Sequence, residues 1–516
     1  MKEVASLRNE RLNVPRSSRV HWPSFPGRRS TGILAVLICC SSGLLGADAF
    51  DRLTEINKAS IVMLAETGIV PKPMASRIAS GIRTVAANED QPGAQRSGDY
   101  LVFEPKLVKV AGPDASRLHT GRSRQDIGST SERIAWRDSF LSAYEASLQP
   151  RQRLLDLAAK NIDTVVPAYT HGLQAQPVSY AHYLLAFISA YERDSQRYES
   201  FWKRLNQSPL GAAALATSGF PLDRNRLAEL LGFDGLVVDS YDANQVAAAD
   251  TMVEFSSILA NAALTTGRFV QDLDVQYSDP VPWFTLEPSL THPSSIMPQK
   301  RNPGPLETLR ITCTMVVGDA QTTWMLAHNN ITGMNDLKNG ARVLQASAES
   351  RDMYKTLGII ANGIVVNRER ALAEVNADYS TMTEVADTLL RYADVPFRMG
   401  HHYASEITTF GREHSKKPQD LTDAEFKSIY EKASGGQPLP VPVEKIRAAL
   451  NPEDVVRNRK GIGGTQPDEV KRMIAESRTR LEASQNWLNA RREALAKSKA
   501  DLENAFQALA GAPATK

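Results

Sequence analysis

A ten-residue stretch in the middle of the chain carries polar side chains that could act together on a carboxylate substrate. Residues 294–303 have the sequence Ser-Ser-Ile-Met-Pro-Gln-Lys-Arg-Asn-Pro, with two hydroxyls, an ammonium group and an amide close together. The prolines in and beside this stretch are Pro293, Pro298, Pro303 and Pro305. Because each proline lacks an N–H donor and has a fixed φ, the stretch is predicted to be a loop rather than a helix or a central strand. In such a loop Lys300 and Asn302 could bind a carboxylate while a serine moves a proton. The alternative is a surface connection with incidental polar residues.

Two further segments are equally rich in polar groups. Residues 118–126 have the sequence Leu-His-Thr-Gly-Arg-Ser-Arg-Gln-Asp, and residues 169–177 have the sequence Tyr-Thr-His-Gly-Leu-Gln-Ala-Gln-Pro. In this order along the chain, the three segments resemble the signature segments of the fumarase/aspartase superfamily, and in particular those of argininosuccinate lyases. Weaker similarities at 209–212, 220–224, 395–398 and 463–467 extend the resemblance from about residue 50 to near the C-terminus.

The resemblance implies an elimination that releases fumarate, with roles for residues of the third segment. Removing an amine beside a carboxylate needs a base for the Cβ proton, fixed positive dipoles for the charge that forms, and an acid for the leaving nitrogen. By match to the family, Ser294 is the base, Ser295 supports it by a hydrogen bond, and Lys300 and Asn302 bind the adjacent carboxylate. A free serine hydroxyl is too weak a base at neutral pH. Loop closure, a positive charge or the helix expected from Pro305 onward must therefore activate it.

The other two segments supply the remaining predicted site residues. By the same resemblance Thr170 contacts a carboxylate and His171 serves in acid–base catalysis or positioning. Glu307 stands where the family pairs a glutamate with this histidine, which would fix the imidazole tautomer and raise its pKa. The substrate-binding residues expected from the first segment and the end of the second are Ser123, Arg124, Gln125 and Gln176. No metal site or cofactor is expected, because the His residues lack metal-ligand spacing, no phosphate-binding glycine loop follows a strand, and this chemistry needs neither.

The chain departs from the family pattern at four places. Pro293 replaces a glycine before the loop serine, and Gln125 replaces an asparagine. Residues 247–250 lack an arginine of the family, and residues 332–338 replace a stretch with a Tyr and a Gln near the amine part of the substrate. These changes predict a retained fumarate-forming half and an altered amine-recognising half, since exchanging hydrogen-bonding groups changes specificity sharply.

Three functions follow from this pattern. The first is a carbon–nitrogen lyase that cleaves an N-substituted aspartate, argininosuccinate by default, to fumarate and a free amine. The second is a lyase for an aminopolycarboxylate such as ethylenediaminedisuccinate, which the altered amine half favours. The third is a non-catalytic scaffold like the lens crystallins of this family, which Pro293 favours and the retained site residues oppose.

Helical periodicity dominates the elements that must position these residues. Long apolar helical patterns occur at 133–162, 177–198, 246–272, 306–327, 343–364 and 466–510. We therefore expect a mostly α fold with a central bundle of long helices at 121–370, between a smaller N-terminal domain at 50–120 and a smaller C-terminal domain at 371–516. The resemblance adds a homotetramer in which each active site is assembled from three subunits.

The first 49 residues differ in character from the rest. Basic residues precede an apolar run, Gly32 to Cys40, that is too short to span a bilayer, and Ala47-Asp48-Ala49 resembles a cleavage site. Arg28-Arg29 is typical of a twin-arginine signal, so export to the periplasm is predicted, with a cytoplasmic enzyme as the alternative. Cleavage would leave Cys313 as the one cysteine, among apolar neighbours that indicate a core position.

Composition excludes some classes of partner. The chain has 60 basic and 58 acidic residues and a formal net charge of +2, which argues against a nucleic-acid-binding protein. A hydrophobic fraction of 42% and a charged fraction of 23% are ordinary for globular domains, so stable membrane insertion is not expected. The expected partners are a small dicarboxylate or amine substrate and further copies of the chain.

Overall fold

The computed structural model describes residues 48–278, 282–328, 330–333 and 340–511. The predicted leader therefore lies outside the described residues except for its last two positions, and export stays a prediction. Asp48 caps the first helix, since its side chain accepts a hydrogen bond from the backbone N–H of Asp51 at 2.8 Å. None of the helices in these ranges combines the length and the apolar character that a membrane crossing requires.

The described residues form long helices and short strands. The helices are α1 (Ala49–Glu66), α2 (Lys72–Glu89), α3 (Tyr100–Ala111), α4 (Arg124–Lys160), α5 (Tyr180–Leu205), α6 (Arg224–Leu230), α7 (Ser240–Gln245), α8 (Ala247–Tyr277), α9 (Gly304–Ala327), α10 (Ala341–Gly363), α11 (Arg368–Val375), α12 (Met382–Ala393), α13 (Phe397–Glu413), α14 (Asp423–Ala433), α15 (Val443–Leu450), α16 (Pro452–Arg457) and α17 (Pro467–Ala510). The strands are β1 (Val165–Thr170), β2 (Leu173–Ser179), β3 (Gln207–Ser208), β4 (Gly235–Leu236), β5 (Phe284–Leu286), β6 (His292–Pro293), β7 (Arg301–Asn302) and β8 (Ile364–Val366). The strands pair two by two, antiparallel in β1–β2, β5–β8 and β6–β7 and parallel in β3–β4.

The prediction of a mostly helical chain is confirmed, and one predicted helix start is wrong. The patterns assigned to 133–162, 246–272, 306–327, 343–364 and 466–510 fall within or close to α4, α8, α9, α10 and α17. Pro177 does not open a helix but lies in β2, opposite Pro167 of β1. The helix begins instead at Tyr180, where the Ser179 hydroxyl accepts a hydrogen bond from the backbone N–H of His182 at 3.1 Å. Proline suits the first turn of a helix as well as a short hairpin, so the residue type alone did not separate the two.

The largest buried cluster lies between the long helices. It combines α4, α5, α8, α9 and α10 with the first half of α17. Phe140 on α4 is fully buried and packs edge-on against Phe201 and Phe255, as expected of helices that are apolar on several faces. This arrangement holds the N-terminus of α4, the end of α8 and the start of α9 in fixed positions.

Two smaller clusters flank this bundle. One joins α1, α2 and α3 with α6 and with Leu502, Phe506 and Ala510 at the end of α17. The other lies within 385–450, between α12, α13, α14 and α15. The predicted domain boundaries at 120 and 370 stay predictions.

Candidate active site

The first signature segment forms the N-terminus of α4. The Ser123 hydroxyl accepts a hydrogen bond from the backbone N–H of Gln125 at 3.2 Å, and Asp126 accepts one from the Ser123 N–H at 2.8 Å. The second Asp126 oxygen accepts bonds from the N–H groups of Gly211 and Ala213 at 3.0 and 3.1 Å. Burial raises the pKa of Asp126 to about 6, against the effect of these bonds. Asp126 thus connects the first signature segment to the backbone at Gly211 and Ala213.

The two arginines of this segment have different environments. Arg122 is 7% exposed, and its Nη1 donates to Asn57 Oδ1 at 2.9 Å and to Ser60 Oγ at 3.0 Å. Its guanidinium also lies 4.9 Å from the centre of the Tyr100 ring. The side chain of Arg124 is 59% exposed, so Arg124 is the arginine that can reach a ligand.

Ser123, Arg124 and Gln125 line a cavity of about 660 Å³ between α1, residues 98–101 and α4. Sequence reasoning did not identify the other polar and aromatic residues of its wall, which include Arg52, Asp99, Tyr100, His119, Glu132 and Trp136. On α4 the lining positions 124, 128, 132 and 136 recur every four residues, which is the spacing of one helix face. That spacing is the signal that could have revealed them.

His119 is held in a neutral state at one side of this cavity. Its ring stacks on Tyr100 with a centroid distance of 4.5 Å, and its Nδ1 is buried without a hydrogen-bond partner among the described residues. Burial, together with the nearby charge of Arg122, lowers the pKa of His119 to about 4. His119 therefore adds no positive charge to the cavity near neutral pH.

The second signature segment forms the β1–β2 hairpin, and its turn carries His171. Thr170 pairs with Leu173, and both residues between them have positive φ, 54° for His171 and 77° for Gly172. A type I′ turn requires a positive φ at both central residues, and glycine adopts a positive φ without steric cost. Thr170 and His171 are exposed at the tip, and Gln176 is exposed further along β2.

A side chain of this hairpin ties it to α11. Gln174 donates from Nε2 to the backbone oxygens of Glu374 and Val375, both at 3.2 Å. The hairpin tip therefore projects from a fixed base.

The third signature segment is the loop of the β6–β7 hairpin, as the prolines predicted. Asn302 pairs with His292, and Pro293 pairs with Arg301. The half-buried Ser294 accepts hydrogen bonds at Oγ from the backbone N–H groups of Met297 at 3.1 Å and Ile296 at 3.4 Å. Ser295 and Lys300 are exposed, and Asn302 is half-buried.

Helix α9 begins directly after this hairpin and carries Glu307 in its first turn. Glu307 is exposed and lies close to Asp274 at the end of α8. Asp274 in turn makes an ion pair with Arg310 at 3.1 Å. Burial raises the pKa of Asp274, Arg310 opposes that rise, and the charge of Glu307 adds to it. The expected pairing of Glu307 with His171 is not formed within the described residues of one chain.

The structure places the predicted site residues at three locations. These are the cavity at the start of α4, the tip of the β1–β2 hairpin, and the β6–β7 loop with the start of α9. Among the described residues of one chain, no hydrogen bond or ion pair connects one location to another. The catalytic and binding roles of these residues stay predictions.

Other candidates for chemistry are weak in the described part of the chain. It holds no group of three or more His, Cys, Asp or Glu side chains arranged for a metal ion. Cys313 is buried, and burial raises the pKa of its thiol to about 12, so it is not a thiolate nucleophile near neutral pH.

Family models match two parts of the chain. A model described as lyase matches residues 65–318, and one described as argininosuccinate lyase C-terminal matches residues 379–457. The first match includes all three signature segments. The second lies over the cluster of α12 to α15.

Whole-length relatives agree with these matches. Argininosuccinate lyase of Methanocaldococcus jannaschii is 35% identical over 431 residues, which are 82% of this chain and 87% of that enzyme. Argininosuccinate lyase 2 of Agrobacterium fabrum is 33% identical over 472 residues, 90% of this chain and 93% of that enzyme. A solved structure of an EDDS lyase in complex with formate is 29% identical, with a TM-score of 0.82 over 90% of this chain and 92% of that chain.

The likeness thus extends over nearly the whole described chain, and the expected fumarase/aspartase-like fold is confirmed. The chain belongs to the argininosuccinate lyase family of the fumarase/aspartase superfamily and is a carbon–nitrogen lyase.

Proposed function

We propose that this lyase cleaves an N-substituted aspartate to fumarate and a free amine, with Ser294 removing the Cβ proton. The observation that carries the role of Ser294 is its pair of backbone N–H donors, from Met297 and Ile296. Hydrogen bonds to an oxygen stabilise its anionic form and so lower the pKa of the hydroxyl. The loop itself therefore supplies part of the activation that a serine base needs.

The charge that forms on the substrate needs fixed positive partners. Lys300 and Asn302 flank the same short hairpin as Ser294, so one loop would deliver the base together with an ammonium group and an amide. Thr170 would bind the substrate from the second hairpin. The exposure of Ser295 and Lys300 supports a loop that closes over bound substrate and excludes water.

Departure of the amine needs a proton donor or a positioning group, and His171 takes this role in the proposal. Glu307 of another copy would hold its imidazole in one tautomer. Arg124, Ser123 and Gln125 would bind the substrate at the start of α4, and Gln176 would complete the set from β2.

For the amine part of the substrate, argininosuccinate is the first choice, because the relatives of Methanocaldococcus jannaschii and Agrobacterium fabrum are both argininosuccinate lyases. An aminopolycarboxylate such as ethylenediaminedisuccinate is the second, supported by the EDDS lyase neighbour. The altered amine half also favours it. Of the divergent 332–338 stretch, the described part holds Thr332, whose hydroxyl bonds to that of Tyr241 at 2.7 Å. A hydroxyl pair at this position gives a different recognition surface from the family's Tyr and Gln.

We further propose that the protein is a homotetramer whose sites are shared between subunits. An exposed apolar stripe on α9 supports this, with Ile311 at 61%, Met315 at 49% and Met325 at 67% exposure. These residues are spaced by four and ten positions and so share one helix face. Exposed apolar surface of this kind is typical of an interface, and another copy would cover it.

Fumarate formation tests the proposal directly. We expect the wild-type protein to raise ultraviolet absorbance with argininosuccinate or ethylenediaminedisuccinate, because the product is conjugated and the substrate is not. Ser294→Ala should lower kcat by roughly a hundred- to ten-thousandfold, the usual effect of removing a general base. Ser289→Ala, on the exposed turn before β6, is the matched control and should leave kcat unchanged. Absence of fumarate from both substrates would favour the scaffold instead.

A further inference from the structure

The cavity at the start of α4 continues beyond the signature residues. Arg124, Gly128, Glu132 and Trp136 line it on one face of the helix. Glu132 lies eight residues after Arg124, which is about 12 Å along the helix axis. Nothing in the signature segments accounts for a carboxylate at that depth.

The Glu132 carboxylate has no hydrogen-bond or ion-pair partner within the ranges that the structure describes. The cation that acts on it is Arg52, whose Nε donates to Ser131 Oγ at 3.1 Å. Burial raises the pKa of Glu132, and the charge of Arg52 opposes that rise. A half-buried carboxylate that the protein leaves unpaired is available to a ligand.

Trp136, one turn further along, does not bond to this carboxylate either. Trp136 is 2% exposed, and its indole N–H is buried without an acceptor among the described residues. The indole Nε1 and the Glu132 Oε2 both lie against Gly340, at the start of α10. A Cβ at Gly340 would clash with the indole nitrogen and come within 3.0 Å of the carboxylate oxygen. The lack of a side chain on this glycine therefore leaves room first for the Trp136 indole and then for the Glu132 carboxylate beside it.

We propose that Glu132 binds an alkylammonium group on the amine part of the substrate and so selects which amines the enzyme accepts. The inference rests on the proposed function, because it takes the succinyl part to lie at Ser123 and Arg124. An ammonium has three N–H donors and a full charge, which match an ionised carboxylate in a cavity wall. The distance of about 12 Å between Arg124 and Glu132 requires an arm of several carbons. The α-ammonium of an amino acid and the terminal ammonium of a diamine both fit this description.

The test compares a charged probe with its neutral isostere. N-(4-aminobutyl)aspartate carries the terminal ammonium, N-pentylaspartate carries a methyl group in its place, and argininosuccinate supplies the α-ammonium of an amino acid. Calorimetric binding is measured on full-length Ser294→Ala, which retains bound substrate, with and without Glu132→Gln. Loss of a charge-assisted bond should weaken binding of the charged probe by roughly ten- to a hundredfold and leave the neutral probe within about twofold. If argininosuccinate weakens as well, the ammonium of an amino acid is a source. If only the aminobutyl probe weakens, the diamine is the source.

Two further variants separate binding from folding. Glu145→Gln lies on the same helix but pairs with Arg492 at 2.6 Å outside the cavity, and should change the affinity for neither probe. Gly340→Ala keeps every charge, but its Cβ would displace the Trp136 indole and also crowd Glu132, so it should weaken the charged probe more than the neutral one. It keeps the proposal testable if Glu132→Gln does not fold.

The outcomes are distinguishable. Equal weakening of both probes by Glu132→Gln, or no weakening of any charged probe, would overturn the inference. If the wild type cleaves the charged and the neutral probe with equal kcat/KM, the ammonium site is contradicted. The same result would support the lyase function. Selective binding through Glu132 without any fumarate release would support the ammonium site and contradict the proposed function.

Discussion

Residues of the same type have different roles in this chain because their burial differs. Arg122 and Arg124 are two positions apart, yet only Arg124 can reach a ligand, since Arg122 is buried against Asn57 and Ser60. The signature order predicted Arg124 as the binding residue. No motif indicated a binding role for Glu132, because that role depends on the cavity that Glu132 lines and on the absence of a side chain at Gly340. Motifs therefore predicted the residues of the candidate site that lie within signature segments. The residues of the cavity wall outside them required the fold.

For a single residue, we predict that His119 makes the folding stability of the protein depend on pH. Burial lowers its pKa from 6.5 to about 4, so the unfolded chain binds a proton at a higher pH than the folded chain. The stability that neutral His119 supplies is full above pH 6.5 and is lost as the pH falls towards 4. The thermal midpoint of the wild type should therefore fall more between about pH 7 and pH 5 than that of His119→Gln, measured by circular dichroism. Parallel pH profiles for the two proteins would contradict this assignment.

Helices and hairpins differ in how much of them the sequence predicts. The long helices followed from apolar periodicity, because their buried faces are wide and continuous. The hairpins are too short for a periodic signal. Pro177 was assigned to a helix although it lies in β2, since the pairing of β1 with β2 depends on contacts that are distant in sequence. The β6–β7 loop was predicted correctly because its prolines exclude the alternatives.

We predict that the β1–β2 turn depends on the glycine at position 172. Gly172 has φ +77°, and a Cβ added there would meet no atom within 4 Å, so Gly172→Ala would cause backbone strain without a clash. We expect a loss of about 1 kcal/mol in stability, with a lower kcat because the neighbouring His171 shifts. Differential scanning calorimetry and initial rates measure the two effects.

Gly267→Ala serves as the matched control for this prediction. Gly267 lies within α8, and a Cβ there meets only Cys313 at an ordinary 3.9 Å. This change should leave kcat near its wild-type value and should raise the thermal midpoint slightly or leave it unchanged, because alanine is favoured over glycine within a helix. A Gly172 variant that behaves like the Gly267 variant would show that the turn does not position His171.

At the scale of the whole molecule, the proposed tetramer is supported by two independent observations, one on the site residues and one on the surface. No hydrogen bond or ion pair joins the three groups of site residues within the described part of one chain, and α9 exposes Ile311, Met315 and Met325. The tetramer was expected from the family resemblance alone. Helical periodicity could not have indicated it, because a stripe that faces another copy and a stripe that faces the core have the same spacing.

Mixing two inactive variants tests whether sites are shared. Ser294→Ala and His171→Gln should each be inactive alone. After joint unfolding and refolding, hybrids should regain roughly a quarter of the wild-type activity, because half of the chains can supply each intact residue. Each variant refolded by itself is the control and should stay inactive. Hybrids without activity, at a confirmed tetrameric mass, would mean that one chain supplies both residues to each site.

The position of α17 has a consequence for how the protein is made. Leu502, Phe506 and Ala510 complete the cluster that α1 and α2 begin, and the Ala510 backbone oxygen accepts a hydrogen bond from the Ser80 hydroxyl at 2.9 Å. A ribosome releases the first helices long before it has synthesised these last residues. The apolar residues of α1 and α2 that pack against α17 therefore stay uncovered in the nascent chain until translation ends, and chaperones have their longest opportunity to bind there.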